Sequence, residues 1–215
     1  MSYTKRLVIL AKSRKLQGYC IAGKNYETHD WIRPVKELPF TTEECCNISD
    51  RGRSIQVFDI VEMTFIEESP KNYQPENETV DMDVEWRLIG NFQIENLNSL
   101  TDTYDVLNLI QNNVLHRPRL PSLNLQNSLQ LIRISEDNDA QIFYRLDYNG
   151  AYYKPRLKLS YKESIYDLPI TDPLIPLESS SIAPRTLRNA YITIGIGAPY
   201  NNQHFVLVVM LREIN

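Results

Sequence analysis

Two stretches of this sequence concentrate side chains that do chemistry. The first is AKSRKLQGYCIAG at 11 to 23, with WIRPV following at 31 to 35. Lys12, Arg14 and Lys15, with the Ser13 hydroxyl, form a set of donors suited to phosphate oxygens, because a guanidinium offers a bidentate fork and an ammonium a point charge. Trp31 supplies a stacking face and Arg33 a cationic plane beside it, the pairing that single-stranded nucleic-acid binders use. An Arg between Ile32 and Pro34 has little reason to be there unless it is paired. The second stretch is FYRLDYNGAYYKPRLKLSYK at 143 to 162, where six aromatics interleave with Arg145, Lys154, Arg156, Lys158 and Lys162. Tyr152, Tyr153 or Tyr161 would be stacking platforms on a face that tracks a phosphate backbone.

Each group also has a plain structural reading. The Lys-Ser-Arg-Lys run fits a solvated loop between strands closed by Gly18, and loops carry solvation and function alike. Trp31 fits a core aromatic, with Pro34 ending an edge strand. The second stretch fits a hairpin, turned at Asn149-Gly150, with an aromatic inner face and a cationic outer one. Other chemistries have little support. Cys20, Cys45 and Cys46 show no spacing suited to zinc, and His29, His116 and His204 form no ligand pattern, so neither a metal site nor a catalytic group is expected. No nucleophile elbow, Walker loop or dinucleotide fingerprint is present, so no cofactor is expected; IGIG at 194 to 197 runs into Ala-Pro rather than a helix start.

The elements that must position these groups are strands. Short runs rich in Val, Ile, Tyr and Phe recur at 7 to 11, 18 to 23, 56 to 66, 83 to 94, 129 to 134, 141 to 148, 190 to 197 and 204 to 211. In QVFDIVEMTFI the inward set that includes Val57, Val61, Met63 and Phe65 also contains Asp59, which requires a strand end or a barrel mouth. One helix is expected over 99 to 114, capped by Ser99 or Thr101, with Asp102 and Asp105 in its first turn and Leu100, Tyr104, Leu107 and Val114 on one face. It stops before Pro118 and Pro121. Residues 67 to 79 read as a long polar loop.

A length of 215 residues with 42% hydrophobic and 23% charged composition suits one large or two small soluble domains, and no apolar run approaches the roughly 20 residues that span a bilayer. No membrane association is expected. The N-terminus reads as a first strand rather than a secretory signal, and a cytoplasmic protein is expected. The net charge of −4 conceals an asymmetry: residues 1 to 36 hold eight Lys/Arg against two Asp/Glu, whereas 37 to 110 hold four against sixteen. A polyanion site must therefore be local, and the acidic face of 37 to 110 is a candidate surface for a protein partner.

KRLVILAKSRKLQGYCIAG, WIRPV, LPITDPL at 168 to 174 and YITIGIGAPYNNQHFVLVVMLRE at 191 to 213 together resemble the dual OB-containing domain family of prokaryotic proteins. Ser13, Arg14, Lys15, Gly18, Cys20, Trp31, Arg33 and Pro34 carry the more specific part; IGIGAP departs from the usual Ser-Leu-Gly element. The resemblance implies an all-β protein with minor α content, built from two tandem OB-like five-stranded barrels with one helix near the end of the first half. The Pro-bounded stretch after the expected helix divides the chain into an N-terminal domain at 1–115, a Pro-containing linker at 116–125 and a C-terminal domain at 126–215; a single larger sandwich with an inserted helix fits the strand count nearly as well. The implied role is binding of single-stranded nucleic acid or a nucleotide, in the setting of prokaryotic antiviral defence, with no catalytic residues to carry over. On this reading Asp172, otherwise an Asx turn, would accept hydrogen bonds from a base or ribose, or orient Arg33. The alternatives are an adaptor in a defence complex and a nucleotide-processing enzyme.

Overall fold

The computed structural model describes residues 2–46, 48, 53–109, 114–116, 125–146, 150, 153–177, 183–201 and 203–214. The chain divides into two compact units, Met1–Thr101 with Leu125–Ser128, and Asp102–Asn124 with Leu129–Asn215. Of the expected linker at 116–125, residues 117–124 lie outside the described residues.

The first unit contains β1 (Tyr3–Lys15), β2 (Gly18–Asn25), β3 (Trp31–Val35), β4 (Asp59–Glu68), β5 (Asn77–Val80) and β6 (Arg87–Asn91). Strands are hydrogen-bonded in the order β1-β2-β3-β5-β4, and β4 returns to β1, which closes a five-stranded barrel; β6 adds to β4 outside the ring. Every pairing is antiparallel except β3 with β5, where Arg33 stands opposite Asn77. The strand β1 serves two neighbours. Its start pairs with β4 and its end with β2, and an irregularity between Ile9 and Ala11 bends it from one to the other, as bulges do at barrel corners.

Alternation decides what fills the barrel. Leu7, Ile9, Ile21, Ile32, Val61, Met63 and Phe65 are almost fully buried together, and Trp86 packs its ring edge-on to Phe40 at 5.5 Å. Each such side chain contributes about 1.5–3 kcal/mol by leaving water. Asp59 is the first residue of β4, as an inward charge requires. Its carboxylate accepts the Arg53 fork at 2.9 Å on both oxygens, the Gln56 amide at 2.7 Å and the Asn91 side chain at 2.8 Å.

The second unit contains β7 (Val114–His116), β8 (Leu129–Ile134), β9 (Ala140–Leu146), β10 (Tyr153–Tyr161), β11 (Ser164–Pro169), β12 (Arg185–Leu187), β13 (Ala190–Tyr200) and β14 (Gln203–Glu213). They form two sheets, β11-β10-β9-β12 and β7-β14-β13-β8, joined by a parallel bridge from Ile170 to Val208. The cyclic order is that of the first unit. Strands β8 and β9 share the part of β1, one pairing with β13 and the other with β10, and the β11–β14 contact is parallel like β3–β5.

A helix does stand near the end of the first half, but its expected bounds of 99 to 114 are corrected by the structure, and residues 110–113 lie outside the described residues. A short 3₁₀ helix runs earlier, Ile94–Leu100, and another covers only Leu107–Leu109. Between them the chain takes its partners from β8 instead of from the preceding turn: Asp102 exchanges backbone and side-chain bonds with Leu131, at 2.9 and 2.6 Å, and the Val106 amide donates to Gln130 at 2.9 Å. Of the two aspartates that looked like a helix start, Asp102 is a partner of β8, whereas Asp105 caps the Leu107–Leu109 turn, its Oδ1 accepting the Leu107 amide at 3.1 Å, and pairs with Lys162 at 2.8 Å. The second correction concerns the basic run. Strand β1 continues through Lys15, so the turn is Leu16–Gln17 alone, and Lys12 to Lys15 are strand residues.

Candidate nucleic-acid interface

At one mouth of the first barrel three pieces of chain converge. They are the β1–β2 turn, the stretch after β3 that returns to pair Phe40 with Tyr19 through bonds of 2.8 and 2.9 Å, and the β4–β5 loop. Gly18 is required here, because a Cβ on it would lie 2.4 Å from the Phe40 carbonyl oxygen. The groove between these pieces has a volume of about 150 Å³ and is floored by the β3–β5 pair at Arg33 and Asn77. Lys15, Lys36, Lys71 and Arg33 line it against one carboxylate, Glu37, and Tyr19 and Tyr73 supply aromatic wall. Lys36 pairs with Glu44 at 3.0 Å and Arg33 is held from inside. Lys15 and Lys71 have no ion-pair partner among the described residues, so their charge faces whatever enters.

The other residues of the first basic stretch take structural positions. Lys12 is buried in register with Ile21; its ammonium donates to Ser54 Oγ at 2.7 Å and to the Ile55 carbonyl at 3.0 Å and lies 4.8 Å from the Tyr19 ring centre. Burial holds its pKa below the ordinary lysine value. Ser13 is buried and Arg14 half-buried. Trp31 is buried, with the Lys24 ammonium 5.3 Å from its ring. It lines a second cavity of about 300 Å³ that also carries Glu68, Glu76 and Glu78, an acidic setting that repels phosphates. Arg33 has the partner its position demanded: Nε donates to Glu76 Oε1 at 3.0 Å and Nη2 to Ser128 Oγ at 2.7 Å, while the Ser128 amide donates to Glu76 Oε2 at 3.0 Å.

In the second unit the hairpin expected over 143 to 162 forms from β9 and β10, although Asn149 and Tyr152 lie outside the described residues. Leu157 and Leu159 turn inward, so Lys154, Arg156 and Lys158 share the outer face, in register with Arg145, Phe143 and Gln141. Arg145 and Arg156 both bond Asp167, one carboxylate between two guanidinium groups, which leaves the face cationic. Lys154 and Lys158 are exposed on it; Tyr153 is exposed too but belongs by alternation to the other face, with Leu157 and Leu159. Asp172 is buried and forms the Asx turn: Oδ1 accepts the Leu174 amide at 2.9 Å, and Oδ2 accepts the Leu211 amide at 2.8 Å and the Arg212 guanidinium.

The closed ring with a parallel β3–β5 pair is the order of an OB barrel, in which the strand 2–3 face and the loops after strands 1 and 4 bind oligonucleotides and oligosaccharides. Over residues 5–211 the sequence matches the family described as Dual OB-containing domain. The chain belongs to that family. No curated protein and no solved structure matches it. Membership of the dual OB-containing family points to nucleic-acid or oligonucleotide binding. No helix among the described residues is long and apolar enough to cross a membrane. The groove of this dual OB-containing protein also uses Lys36, Lys71, Tyr73 and Asn77, which sequence reasoning passed over. For Lys71 and Tyr73 a signal was available: in an OB barrel the loop after strand four is a ligand loop, and SPKNYQPE at 69 to 76 is that loop.

Proposed function

We propose that the protein is a non-enzymatic module that binds single-stranded nucleic acid at the loop end of its first barrel. The observation that carries this is the convergence of both OB ligand loops on a groove where Lys15 and Lys71 are uncompensated and Tyr19 and Tyr73 stand beside them. Lys15 and Lys71 meet acceptors of the strand, its phosphates and base edges, and the tyrosines stack bases, while Lys154 and Lys158 of the second unit offer a further cationic face with Tyr153 near it in sequence. Lys12, Ser13, Trp31, Arg33 and Asp172 hold the scaffold in this reading. A short strand is favoured over long duplex because the 37 to 110 segment is strongly acidic. Action in the cytoplasm, in a prokaryotic defence setting, is part of the same proposal and rests on the family alone.

The test is fluorescence anisotropy of labelled 15-mers of DNA and RNA across a salt series, with Lys15→Glu/Lys71→Glu beside the wild type. Binding is expected to weaken steeply with salt, and the double variant to flatten the slope of log K on log salt by about 0.7 for each phosphate it no longer neutralises. A folded wild type that binds neither polymer overturns the proposal.

A further inference from the structure

We propose that Asn77 reads the base in this groove and selects guanine. The inference rests on the strand-binding reading above. Asn77 opens β5, is only 2% exposed, and stands opposite Arg33 on the groove floor. Its side-chain Oδ1 is buried with no hydrogen-bond partner among the described residues. Buried polar groups are normally paired, and one that is not needs a reason. Trp86 and Gln130 also leave a buried nitrogen unpaired, but neither lines the groove. The unpaired Oδ1 lacks a donor, which an incoming N–H would supply while the amide nitrogen donates beside it.

The surroundings decide which group that is. The amide needs a ligand edge carrying a donor next to an acceptor, the pattern by which Asn reads bases. The flanking ammonium groups of Lys15 and Lys71 need acceptors. Guanine meets both on adjoining edges: N1–H and O6 face the amide, and O6 with N7 forms the doubly accepting edge that Lys and Arg favour. Adenine, cytosine and uracil each pair with an amide but lack that second, doubly accepting edge. At about 150 Å³ the groove lies below the roughly 300–1,000 Å³ of pockets for drug-sized ligands, so it suits one ring system, with Tyr19 and Tyr73 as stacking walls.

Two measurements test this. In the first, 15-mers that differ only in one central base are bound to wild type, Asn77→Leu and Asn77→Asp, each checked for folding by circular dichroism. The wild type is expected to prefer the guanine strand by about tenfold, within the range of one bidentate base contact. Asn77→Leu should bring that preference below about twofold with the salt slope unchanged, and Asn77→Asp should keep it, since a carboxylate accepts from N1–H and the exocyclic amine of guanine together. Equal binding of all strands by the wild type, or a preference that survives in Asn77→Leu, overturns the base-reading role and leaves strand binding standing. In the second, the Asn77 side-chain amide is followed by ¹⁵N–¹H NMR during titration with GMP, AMP, CMP and UMP. A saturable shift with GMP alone supports guanine selection even where no strand binds; equal shifts, or none, overturn it.

Discussion

Replacing Arg33 with Met separates a scaffold role from a direct role in ligand binding. The Arg33 side chain is 10% exposed and that of Glu76 1%, so the substitution leaves a buried carboxylate whose remaining donors are the amide and hydroxyl of Ser128. Removing one member of a buried pair costs about 3–5 kcal/mol, because the charge left behind is uncompensated. With a urea m-value of about 1–3 kcal/mol/M, the midpoint falls by about 2 M. The assay is selective for the right unit, since the two tryptophans of the chain, Trp31 and Trp86, are both buried in the first one. Their fluorescence during urea unfolding therefore reports the barrel that contains Arg33. Arg33→Met/Glu76→Met should recover most of the loss, as well-packed apolar replacements of whole buried pairs do. A midpoint of Arg33→Met within about 0.3 M of wild type, together with abolished strand binding, would refute the reasoning and place Arg33 against the ligand.

Asp172→Asn removes the charge facing Arg212 and one acceptor among three bonds, so the second unit should lose about 3 kcal/mol. Hydrogen exchange at the Leu211 amide should accelerate while the tryptophan transition stays in place; unchanged protection with weakened strand binding would assign Asp172 to the ligand instead. Burial pushes the Cys45 thiol up to about 11 from an ordinary 9. Its folded value lies above its unfolded one, so the stability it contributes is whole below pH 9 and is lost as pH climbs through about 11. Wild type should therefore lose stability relative to Cys45→Ala across that window, and parallel curves would show that the thiol titrates alike in both states. Lys12 has the opposite sign, its lowered pKa making stability rise with pH below its ordinary value, so the comparison is best repeated in Lys12→Met.

Strands were legible where short runs rich in Leu, Ile and Tyr are buried almost continuously, as in 129 to 134 and 190 to 197, because burial on both faces writes itself into composition. Strand β5, NETV, was not. Its four residues are mostly polar and lie within what reads as a loop, and only the pairings with β3 on one side and β4 on the other make them a strand. The misplaced helix bounds of 99 to 114 have the same origin. Asp102 bonds Leu131 and the Val106 amide bonds Gln130 of β8, and local sequence contains no sign of those partners. For the site, the basic run drew attention to the end of β1 that borders the groove, and Lys15 lines it. Alternation then carried Lys12 inward, a sorting that follows from strand continuation through what reads as a turn. Asn77 reaches the groove through the fold alone, far downstream in sequence of the β2 and β3 residues it stands beside.

The assignment of Leu125–Ser128 to the first unit has a consequence for synthesis on the ribosome. The barrel strands end by Asn91, yet Ser128, which bonds both Arg33 and Glu76, is made only after the whole Asp102–Asn124 stretch that belongs to the second unit. At about 5–20 residues per second, the interval from Thr101 to Ser128 is roughly 1–5 s. Throughout it the nascent first barrel holds its ion pair without the serine. Completion of that barrel therefore coincides with emergence of Leu129, the first residue of β8, and so ties the finishing of one unit to the start of the other's sheet within adjacent codons.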